Sequence, residues 1–336
     1  MIVALTPNPA IDRTIEVPRL RQGELHRVHR ATVEPGGKGI NVARTLAANG
    51  VETQAIFPAG GPEGDALVAM LAQDIPVRSV TIAAPLRVNV AVVEPGGRVT
   101  KLNEEGPELT PADGDALLDA VRAAALGARW VVSCGSVPRG LPVDFHARVV
   151  AVARAQGARA AVDTSGEALA AALESAPDLV KPNRDELEEA VGCSIETFGD
   201  AVLAARSLLE RGARCVLASF GSAGAILVDG EGALHGVAHC ERVQSTVGAG
   251  DVLLAGFLGA TGSAEDALRR AVAWAAQSVA AQGNGVAAVG RTPGPAGYVS
   301  GDIDPDRRLY DERPDGRLPA GDMTTSLDRL AQSREE

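Results

Sequence analysis

The chain of 336 residues carries a formal net charge of −11, with 46% hydrophobic and 22% charged residues. This length suits one large α/β domain or two small ones, and the composition is ordinary for a soluble globular protein. An acidic chain is a poor match for nucleic acid, whose phosphates require a basic face. A small phosphorylated substrate is still compatible with it, because a few local cations are enough to bind one.

The cysteine spacing and the length of the apolar runs indicate the cellular compartment of the protein. The cysteines lack the paired spacing of a zinc site or a redox pair; they are Cys134, Cys193, Cys215 and Cys240. Residues 1–5 are too short and too uncharged for a signal peptide, and no apolar run approaches membrane-spanning length. We therefore expect a protein of the reducing cytoplasm, without a membrane partner.

The first predicted elements are a buried strand and an exposed β-ribbon. Residues 2–5 form an apolar run that stops at Thr6-Pro7-Asn8-Pro9, and Asp12 follows this turn. Polar and apolar residues then alternate through 13–17 and 24–28, which predicts a pair of exposed strands. A ribbon of this kind is typical of a flap or an oligomer contact. We interpret His26 and His29, which lie within it, as surface residues.

A glycine-rich stretch, Gly36-Gly37-Lys38-Gly39-Ile40-Asn41, runs next into a helix that ends at Asn49-Gly50. Glycines before a helix form an anion site, because the first helical N–H groups have no partner within the helix. Lys38 adds a positive charge. The stretch lacks the spacing and the terminal Ser or Thr of a Walker A loop.

A helix over 63–73 and a second ribbon follow. Residues 87–93 and 98–102 are predicted strands, with a hairpin turn at Pro95-Gly96-Gly97. Arg87, Asn89 and Asn103 lie in this ribbon. Their positions are compatible with a ligand-facing role and equally with solvated strand residues.

From Thr110 the chain alternates helices with strands. Predicted helices cover 110–126, 143–156, 185–191 and 197–211, and predicted strands cover 130–133, 160–163, 179–180, 215–219 and 225–228. This order predicts a parallel sheet covered on both faces, with ligands beyond the carboxyl ends of its strands. Polar residues lie at those ends, namely Ser136, Asp163, Asn183 and Ser219.

The stretch Val247-Gly248-Ala249-Gly250-Asp251 precedes an apolar run, which predicts helices over 251–262 and 264–282. Its small residues let a phosphate approach the backbone, and an acid there can accept a proton from an attacking hydroxyl, so the pattern indicates phosphoryl transfer. A helix N-cap is the alternative role for Asp251. Residues 293–336 are rich in Pro, Gly, Asp and Arg, and we expect a loosely ordered tail there.

Together these motifs resemble the PfkB family of ribokinase-like carbohydrate kinases over residues 1–290. Gly36 to Ala43, with Gly50 and Gly60, is similar to the first family signature, and Ser245 to Asp251, with 255–258, is similar to the second. Within the family, Thr6-Pro7-Asn8-Pro9-Ala10-x-Asp12 and Lys38 resemble 1-phosphofructokinases and tagatose-6-phosphate kinases. Val252 departs from the small polar residue often found there, without an expected effect on the chemistry.

The resemblance implies a kinase domain over 1–292 with a ribokinase-like fold, a three-layer α/β/α sandwich that has a mostly parallel central sheet. It also implies a small β-sheet lid from about 12–35 and 86–104, through which a homodimer could form. The implied substrates are ATP, which brings Mg²⁺, and a sugar phosphate. Asp251 is the implied general base, beside the glycine-rich turn of Gly248, Ala249 and Gly250, whose Ala249 and Gly250 amides hold the charge that develops on the phosphoryl group.

The remaining implied site residues fall into two groups. Those for the sugar phosphate are Asp12, Gly37, Lys38, Asn41, Arg87, Asn89, Asn103 and Ser136, with Lys38 and Arg87 on the phosphate. Those for the nucleotide are Asn183 and Glu186, which are similar to the family's Asn-x-x-Glu element, then Ser219, Gly221 and Gly224, which are similar to its nucleotide loop Ser-x-Gly-x-x-Gly, and Gly250. Glu186 is implied to act on Mg²⁺ indirectly.

The implied reaction is ATP-dependent phosphorylation of a ketohexose phosphate, with fructose 1-phosphate the leading substrate. A tagatose-6-phosphate kinase and a 6-phosphofructokinase of the same fold are alternatives. A sugar-phosphate sensor without turnover is an alternative of another class. The intact Asp251 disfavours the sensor, because a protein that only binds has no need of a base.

Overall fold

The structure, a computed structural model, describes residues 1–28, 30–95, 98–240, 243–280, 289 and 295–309. The chain divides into two compact units, Met1–Ala158 and Arg159–Glu336. Throughout the described ranges, each helix is too short or too polar to cross a membrane.

The first unit contains a parallel sheet and a separate small sheet. Its strands are β1 Ile2–Leu5, β2 Ala10–Glu16, β3 Arg30–Gly36, β4 Thr53–Ala59, β5 Val77–Thr81, β6 Arg87–Val93, β7 Val99–Asn103 and β8 Trp130–Cys134. Its helices are α1 Lys38–Ala48, α2 Gly61–Leu71, α3 Pro111–Ala125 and α4 Phe145–Ala155. The parallel sheet has the order β8-β1-β4-β5. All four residues of β1 are buried, as its unbroken apolar run predicts.

The small sheet consists of β3, β2, β6 and β7 in that order. Its strands come from the segments predicted for the lid, and β6 pairs with β7 as the predicted hairpin. The expected strand at 24–28 is wrong, because β2 pairs instead with β3, which begins at Arg30. Leu25 is 82% exposed, so this stretch has no buried face to fix a strand. His29, Gly96 and Gly97 lie outside the described residues.

The second unit continues the alternation of strands and helices. Its strands are β9 Arg159–Asp163, β10 Leu179–Val180, β11 Cys215–Ser219, β12 Ala225–Asp229, β13 Ala233–Ala238 and β14 Gly297–Ser300. Its helices are α5 Gly166–Leu173, α6 Arg184–Val191, α7 Phe198–Glu210, α8 Ala249–Gly259 and α9 Ala264–Val279. Strands β9, β10 and β11 are parallel, whereas β12, β13 and β14 extend this sheet in antiparallel pairs. The predicted α/β class with a mostly parallel sheet and a small separate sheet is confirmed.

The predicted loose tail over 293–336 is wrong for part of its length. Strand β14 pairs with β13 along four residues. Farther on, the Arg307 and Pro305 carbonyls accept hydrogen bonds from the Phe198 and Gly199 amides at the start of α7, and Leu309 is 5% exposed. The ordered part of this stretch could not be predicted from hydrophobic periodicity, because it has few hydrophobic residues and backbone hydrogen bonds hold most of it in place. Residues 310–336 lie outside the described residues.

Candidate active site

The glycine-rich turn at 248–250 leads into α8 as predicted, but the helix begins two residues earlier than expected. Gly248 is the N-cap, in the left-handed conformation with φ 78°. Asp251 is therefore the third helical residue rather than the N-cap, and the capping explanation for it is wrong. Asp251 lies in the first turn and is 7% exposed. A negative charge there is favoured by the partial positive charge of the helix N-terminus.

The amides of this turn are not equivalent. The Ala249 N–H donates to the Thr246 carbonyl at 3.3 Å, so a bound anion would compete with that carbonyl for it. Gly250 lies beside a cation instead, because a Cβ added to it would be 3.5 Å from the Lys181 ammonium. The missing side chain leaves this ammonium close to the backbone of the turn.

Lys181 is paired with Asp163, with 3.3 Å between Nζ and Oδ2. Asp163 ends β9, and Lys181 directly follows β10, so two neighbouring parallel strands bring the charges together. Asp163 was predicted as a polar strand end, whereas Lys181 was assigned no role. The signal was available, since Lys181 occupies a strand end immediately before Pro182-Asn183.

The predicted nucleotide residues lie next to one another. Asn183 caps α6, because its side-chain oxygen accepts from the Glu186 backbone amide at 2.9 Å. In return, the Glu186 carboxylate accepts from the Asn183 backbone amide at 2.9 Å. The Asn-x-x-Glu spacing is thus also a capping box, which the sequence reasoning overlooked. Asn183 forms a β-bridge with Ser219, where the predicted nucleotide loop of residues 219–224 begins.

The nucleotide loop contains a 3₁₀ turn over Gly221–Ala223. Gly221 and Gly224 have φ angles of 57° and 91°, which favour glycine. A Cβ on Gly224 would also lie 2.1 Å from the Gly236 carbonyl oxygen in β13. Backbone geometry therefore accounts for both glycines of the Ser-x-Gly-x-x-Gly pattern.

In the first unit, three predicted sugar-site residues form a row across adjacent strands. Asp12, Asn89 and Asn103 are in register on β2, β6 and β7. The Asn89 amide donates to the Asp12 carboxylate at 2.9 Å. A Cβ on Gly36 would lie 2.5 Å from that carboxylate, so a larger residue there would displace the Asp12 side chain. Burial raises the pKa of the Asp12 carboxyl, opposed by the Asn89 hydrogen bond and by the charges of Arg87 and Lys101.

Arg87 has a structural function in addition to its predicted role. Its guanidinium donates to the carbonyls of Asn8 at 2.9 Å, Glu104 at 3.0 Å and Pro9 at 3.4 Å. These carbonyls lie where the chain enters β2 and leaves β7. Arg87 therefore links the segment that enters β2 to the segment that leaves β7. This role could not be predicted from the sequence, because every residue type has a backbone carbonyl that can accept a hydrogen bond.

Lys38 is the first residue of α1, half-buried after the N-cap Gly37. A Cβ on Gly37 would lie 2.7 Å from the Thr6 methyl group, which brings the Thr6 turn against this helix start. Asn41 lies one turn further along α1 and is 8% exposed. The glycine-rich stretch is therefore a helix start that carries a cation, as predicted.

Asn8, in the turn between β1 and β2, connects Ser136 to the segment that follows β7. Its side-chain amide donates to the Ser136 hydroxyl at 3.0 Å and to the Glu105 carbonyl at 3.2 Å. Asn8 is 4% exposed, and its Oδ1 has no hydrogen-bond partner among the described residues. Asn8 was assigned no role of its own from the sequence, although it lies in the predicted Thr6-Pro7-Asn8-Pro9 turn.

The carboxylates suit a metal that arrives on a ligand. Among the described residues, no group of three or more His, Cys, Asp or Glu side chains could hold an ion. Glu186 is partly exposed beside the nucleotide loop, and Asp251 lies next to the glycine-rich turn. Mg²⁺ commonly binds through one or two carboxylates, with water and substrate phosphates as its other ligands. These residues fit that arrangement.

Comparisons with known proteins agree with these features. The sequence profile of the pfkB carbohydrate kinase family matches residues 5–288. A 1-phosphofructokinase of Rhodobacter capsulatus is 36% identical over 267 residues, which cover 76% of this chain and 82% of that protein. ATP-dependent 6-phosphofructokinase isozyme 2 of Escherichia coli is 35% identical over 289 residues, which cover 84% of this chain and 93% of that protein.

Solved structures show the same likeness. Phosphofructokinase-2 of Escherichia coli in complex with potassium superposes with a TM-score of 0.80 at 35% identity, over 85% of this chain and 94% of that one. Its tetrameric inhibited form superposes with a TM-score of 0.78, over 83% and 93% of the two chains. This similarity confirms the predicted ribokinase-like fold, a three-layer α/β/α sandwich with a small β-sheet lid.

Proposed function

This chain belongs to the pfkB family of carbohydrate kinases and is an ATP-dependent sugar kinase; from that premise we propose that it converts fructose 1-phosphate to fructose 1,6-bisphosphate, with Asp251 as general base. The observation that carries the proposal is the buried Asp251 carboxylate in the first turn of α8, next to the glycine-rich turn. The 1-phosphofructokinase of Rhodobacter capsulatus supports the choice of substrate.

In the proposed reaction the free sugar hydroxyl attacks the γ-phosphorus of ATP. A new O–P bond forms as the bond between the γ-phosphorus and the β,γ-bridging oxygen breaks, and ADP leaves with that bond's electron pair. Asp251 accepts the proton of the attacking hydroxyl and later releases it to solvent. Catalysis of this kind depends on positioning and on electrostatic stabilisation.

Two groups beside Asp251 would stabilise the phosphoryl group in transfer. The Gly250 amide belongs to the first turn of α8, whose N–H groups have no acceptor within the helix and can bind an anion. The Lys181 ammonium lies beside Gly250 and is fixed there by Asp163. A positive charge in a water-poor site stabilises developing negative charge more strongly than it would in solvent. The Ala249 amide would contribute after exchanging its contact with Thr246 for the phosphoryl group.

Asn183, Glu186 and the nucleotide loop are proposed to bind ATP, with Ser219, Gly221 and Gly224 bringing the loop backbone close to it. Mg²⁺ is proposed to enter on the ATP phosphates, where it would offset their negative charge, and Glu186 would hold it through a bound water. The capping box orients Glu186, because the Asn183 backbone amide donates to the Glu186 carboxylate.

The residues of the first unit are proposed to bind the sugar phosphate. Asp12, Asn89 and Asn103 offer a row of acceptors and donors for sugar hydroxyls. Lys38 is proposed to bind the phosphate already present, with Arg87 contributing beside its contacts to backbone carbonyls. The remaining proposed ligands of the sugar phosphate are Gly37, Asn41 and Ser136.

The substrate is tested by measuring ADP release with a panel of acceptors. We expect fructose 1-phosphate to give the highest kcat/KM, above fructose 6-phosphate, tagatose 6-phosphate and unphosphorylated fructose. The 6-phosphofructokinase of Escherichia coli makes fructose 6-phosphate the main alternative, and tagatose 6-phosphate is the second. ADP release with free fructose only would overturn the proposal of a phosphorylated substrate. Binding without any turnover would instead indicate the sensor.

A homodimer through the small sheet is also proposed. The face opposite the Asp12 row carries Val33, Arg13, Val90 and Leu102 in register across all four strands. Val33 is 53% exposed and Leu102 is 61% exposed, and exposed apolar residues on one face are typical of an interface. The tetrameric form of the Escherichia coli relative supports self-association. Sedimentation should give a dimer, and Leu102→Glu should give a monomer.

We also propose that the enzyme is cytoplasmic. This location is supported by the two proposed substrates, ATP and a sugar phosphate, which are both cellular metabolites.

A further inference from the structure

His235 lies on β13 behind the nucleotide loop and is 8% exposed. Its Nε2 lies 2.8 Å from the carbonyl oxygen of Ala223, the last residue of the 3₁₀ turn. Because a carbonyl can only accept, Nε2 carries the hydrogen. This side-chain hydrogen bond from β13 therefore adds to the backbone hydrogen bonds that close the turn, such as the one from the Phe220 amide to the Gly224 carbonyl at 2.8 Å.

The loop and β13 are also packed closely. Strand β12 begins at Ala225, directly after the loop, and pairs Ala225 with Gly236 and Ile226 with His235. The absence of a Cβ on Gly224 allows the loop to approach the Gly236 carbonyl. A shift of the His235 ring would therefore be transmitted to the loop with little room for compensation.

The His235 ring is itself held by α7. Phe198, the first residue of that helix, packs edge-on against it with 4.5 Å between ring centroids and 61° between planes. Edge-to-face aromatic pairs at this distance are favourable beyond the area they bury. Phe198 is 1% exposed, so the pair lies in the interior of the unit.

Residues 304–309, the C-terminal segment, hold Phe198 in turn. The Arg307 guanidinium lies 5.2 Å from the centre of the Phe198 ring, and the Arg307 carbonyl accepts from the Phe198 amide at 3.0 Å. The Leu309 amide donates to the Glu196 carbonyl at 2.9 Å. A continuous series of contacts thus runs from this segment through Phe198 and His235 to Ala223.

We infer that His235 is a positioning residue for the nucleotide loop, and that Phe198 and the C-terminal segment fix its ring so that the loop is preformed for ATP. The inference rests on the proposed function, which assigns ATP to residues 219–224. If it holds, the affinity for the nucleotide depends on the His235 side chain, although this side chain touches neither ligand. The affinity for the sugar phosphate does not depend on it. A preformed loop does not have to be ordered when the ligand binds, and this raises affinity.

The test is titration calorimetry of the full chain with a non-hydrolysable ATP analogue, combined with the KM of each substrate. His235→Leu removes the donor and should raise the Kd of the analogue about five- to tenfold. The KM for the sugar phosphate should remain within about twofold. His235→Gln can place a donor near the Nε2 position and should restore the Kd to within about twofold of wild type. Phe198→Leu, which keeps the donor but loosens the ring, should give an intermediate Kd.

Leu208→Ala is the matched control for general destabilisation. Leu208 is fully buried on the same helix as Phe198, so this substitution should lower Tm without raising the Kd of the analogue. A wild-type Kd in His235→Leu would overturn the inference, as would equal changes in both KM values that match those of Leu208→Ala. A wild-type chain that fails to bind the analogue would instead overturn the proposed function, which separates the two failures.

Discussion

The Lys181 ammonium lies 3.3 Å from the Asp163 carboxylate, and the two side chains are 4% and 0% exposed. A buried ion pair is costly to desolvate and is weak evidence for stability alone. This one lies beside Gly250 in the glycine-rich turn, where the proposed reaction develops negative charge. We therefore expect the pair to contribute to turnover, with Asp163 fixing the position of the cation.

Asp163→Asn should lower kcat about tenfold or more while the Kd of an ATP analogue changes only a few-fold. The physical reason is that Lys181 loses the charge that fixes its ammonium beside Gly250. Removing one partner of a buried pair should also lower the free energy of unfolding by about 3–5 kcal/mol. Steady-state kinetics well below the Tm, together with urea unfolding, measures both effects.

Asp178→Asn is the control for this change. Asp178 lies 3.3 Å from Arg214 in the same unit, but that arginine is 64% exposed. Asp178 Oδ2 also accepts from the Ala160 backbone amide at 2.8 Å, and the side-chain oxygen of an asparagine can keep this hydrogen bond. Asp178→Asn should therefore cost little stability and leave kcat unchanged, because pairs with an exposed partner contribute about 0–1 kcal/mol. If Asp163→Asn lowers stability but leaves kcat at the wild-type value, Asp163 has only a structural role.

Gly250→Ala should separate activity from stability. The added Cβ would lie at an ordinary distance of 3.5 Å from the Lys181 ammonium, so the fold can accept it. Alanine in a first helical turn should leave the free energy of unfolding unchanged or raise it by about 0.5–1 kcal/mol. Turnover should fall, because the methyl group occupies space that the phosphoryl group needs. Gly256→Ala, on the same helix, should instead lower Tm, since its Cβ would lie 2.8 Å from the Ala271 Cα.

Lys38→Ala should raise the KM for the sugar phosphate by one to two orders of magnitude, because a charge-assisted hydrogen bond to phosphate contributes about 1.5–3 kcal/mol. The KM for ATP should stay within a few-fold of wild type. The preference for a sugar phosphate over the free sugar should also narrow. Arg122→Ala, which removes an exposed cation from α3, is the control and should change neither KM. A collapse of ATP affinity in Lys38→Ala would show that Lys38 serves the nucleotide.

The stability of the folded chain should depend on His235 at mildly acidic pH. Burial lowers the pKa of His235; its hydrogen bond to Ala223 opposes this shift, and the charge of Arg307 adds to it. The unfolded chain therefore binds a proton near pH 6.5 while the folded chain does not, so stability is lost as pH falls below that value. The slope for one such group approaches about 1.4 kcal/mol per pH unit.

His235→Gln should remove this component. Between about pH 7 and pH 5, wild type should lose more free energy of unfolding than the variant, as measured by urea titration at each pH. Parallel curves for the two proteins would show that the imidazole does not titrate differently in the folded chain.

Sequence patterns predicted most of the fold, because hydrophobic periodicity and glycine positions are local properties. They failed where distant segments decide the structure. Strand β14 has four residues after a Pro- and Gly-rich stretch, and its pairing with β13 provides the hydrogen bonds that its own sequence cannot. The contact of Lys181 with Asp163 likewise depends on β9 and β10 being neighbours, which spacing along the chain does not specify.

The site shows the same division. Gly248, Gly250 and Asp251 were recognisable because a helix start that binds anions needs small residues in one short stretch. The contacts of Arg87 with three carbonyls and of His235 with Ala223 were not, since backbone acceptors have no residue type. The capping box of Asn183 and Glu186 could have been found, because its spacing is itself a signal.

The most direct test of the account is the turnover of Asp251→Asn, which keeps the shape of the side chain and removes the proton acceptor. ADP release with ATP and fructose 1-phosphate should fall ~10²–10⁴-fold, while the Kd values of both substrates stay within a few-fold of wild type. A kcat within a few-fold of wild type would contradict the account, because Asp251 would then be a buried helix residue without a part in proton transfer.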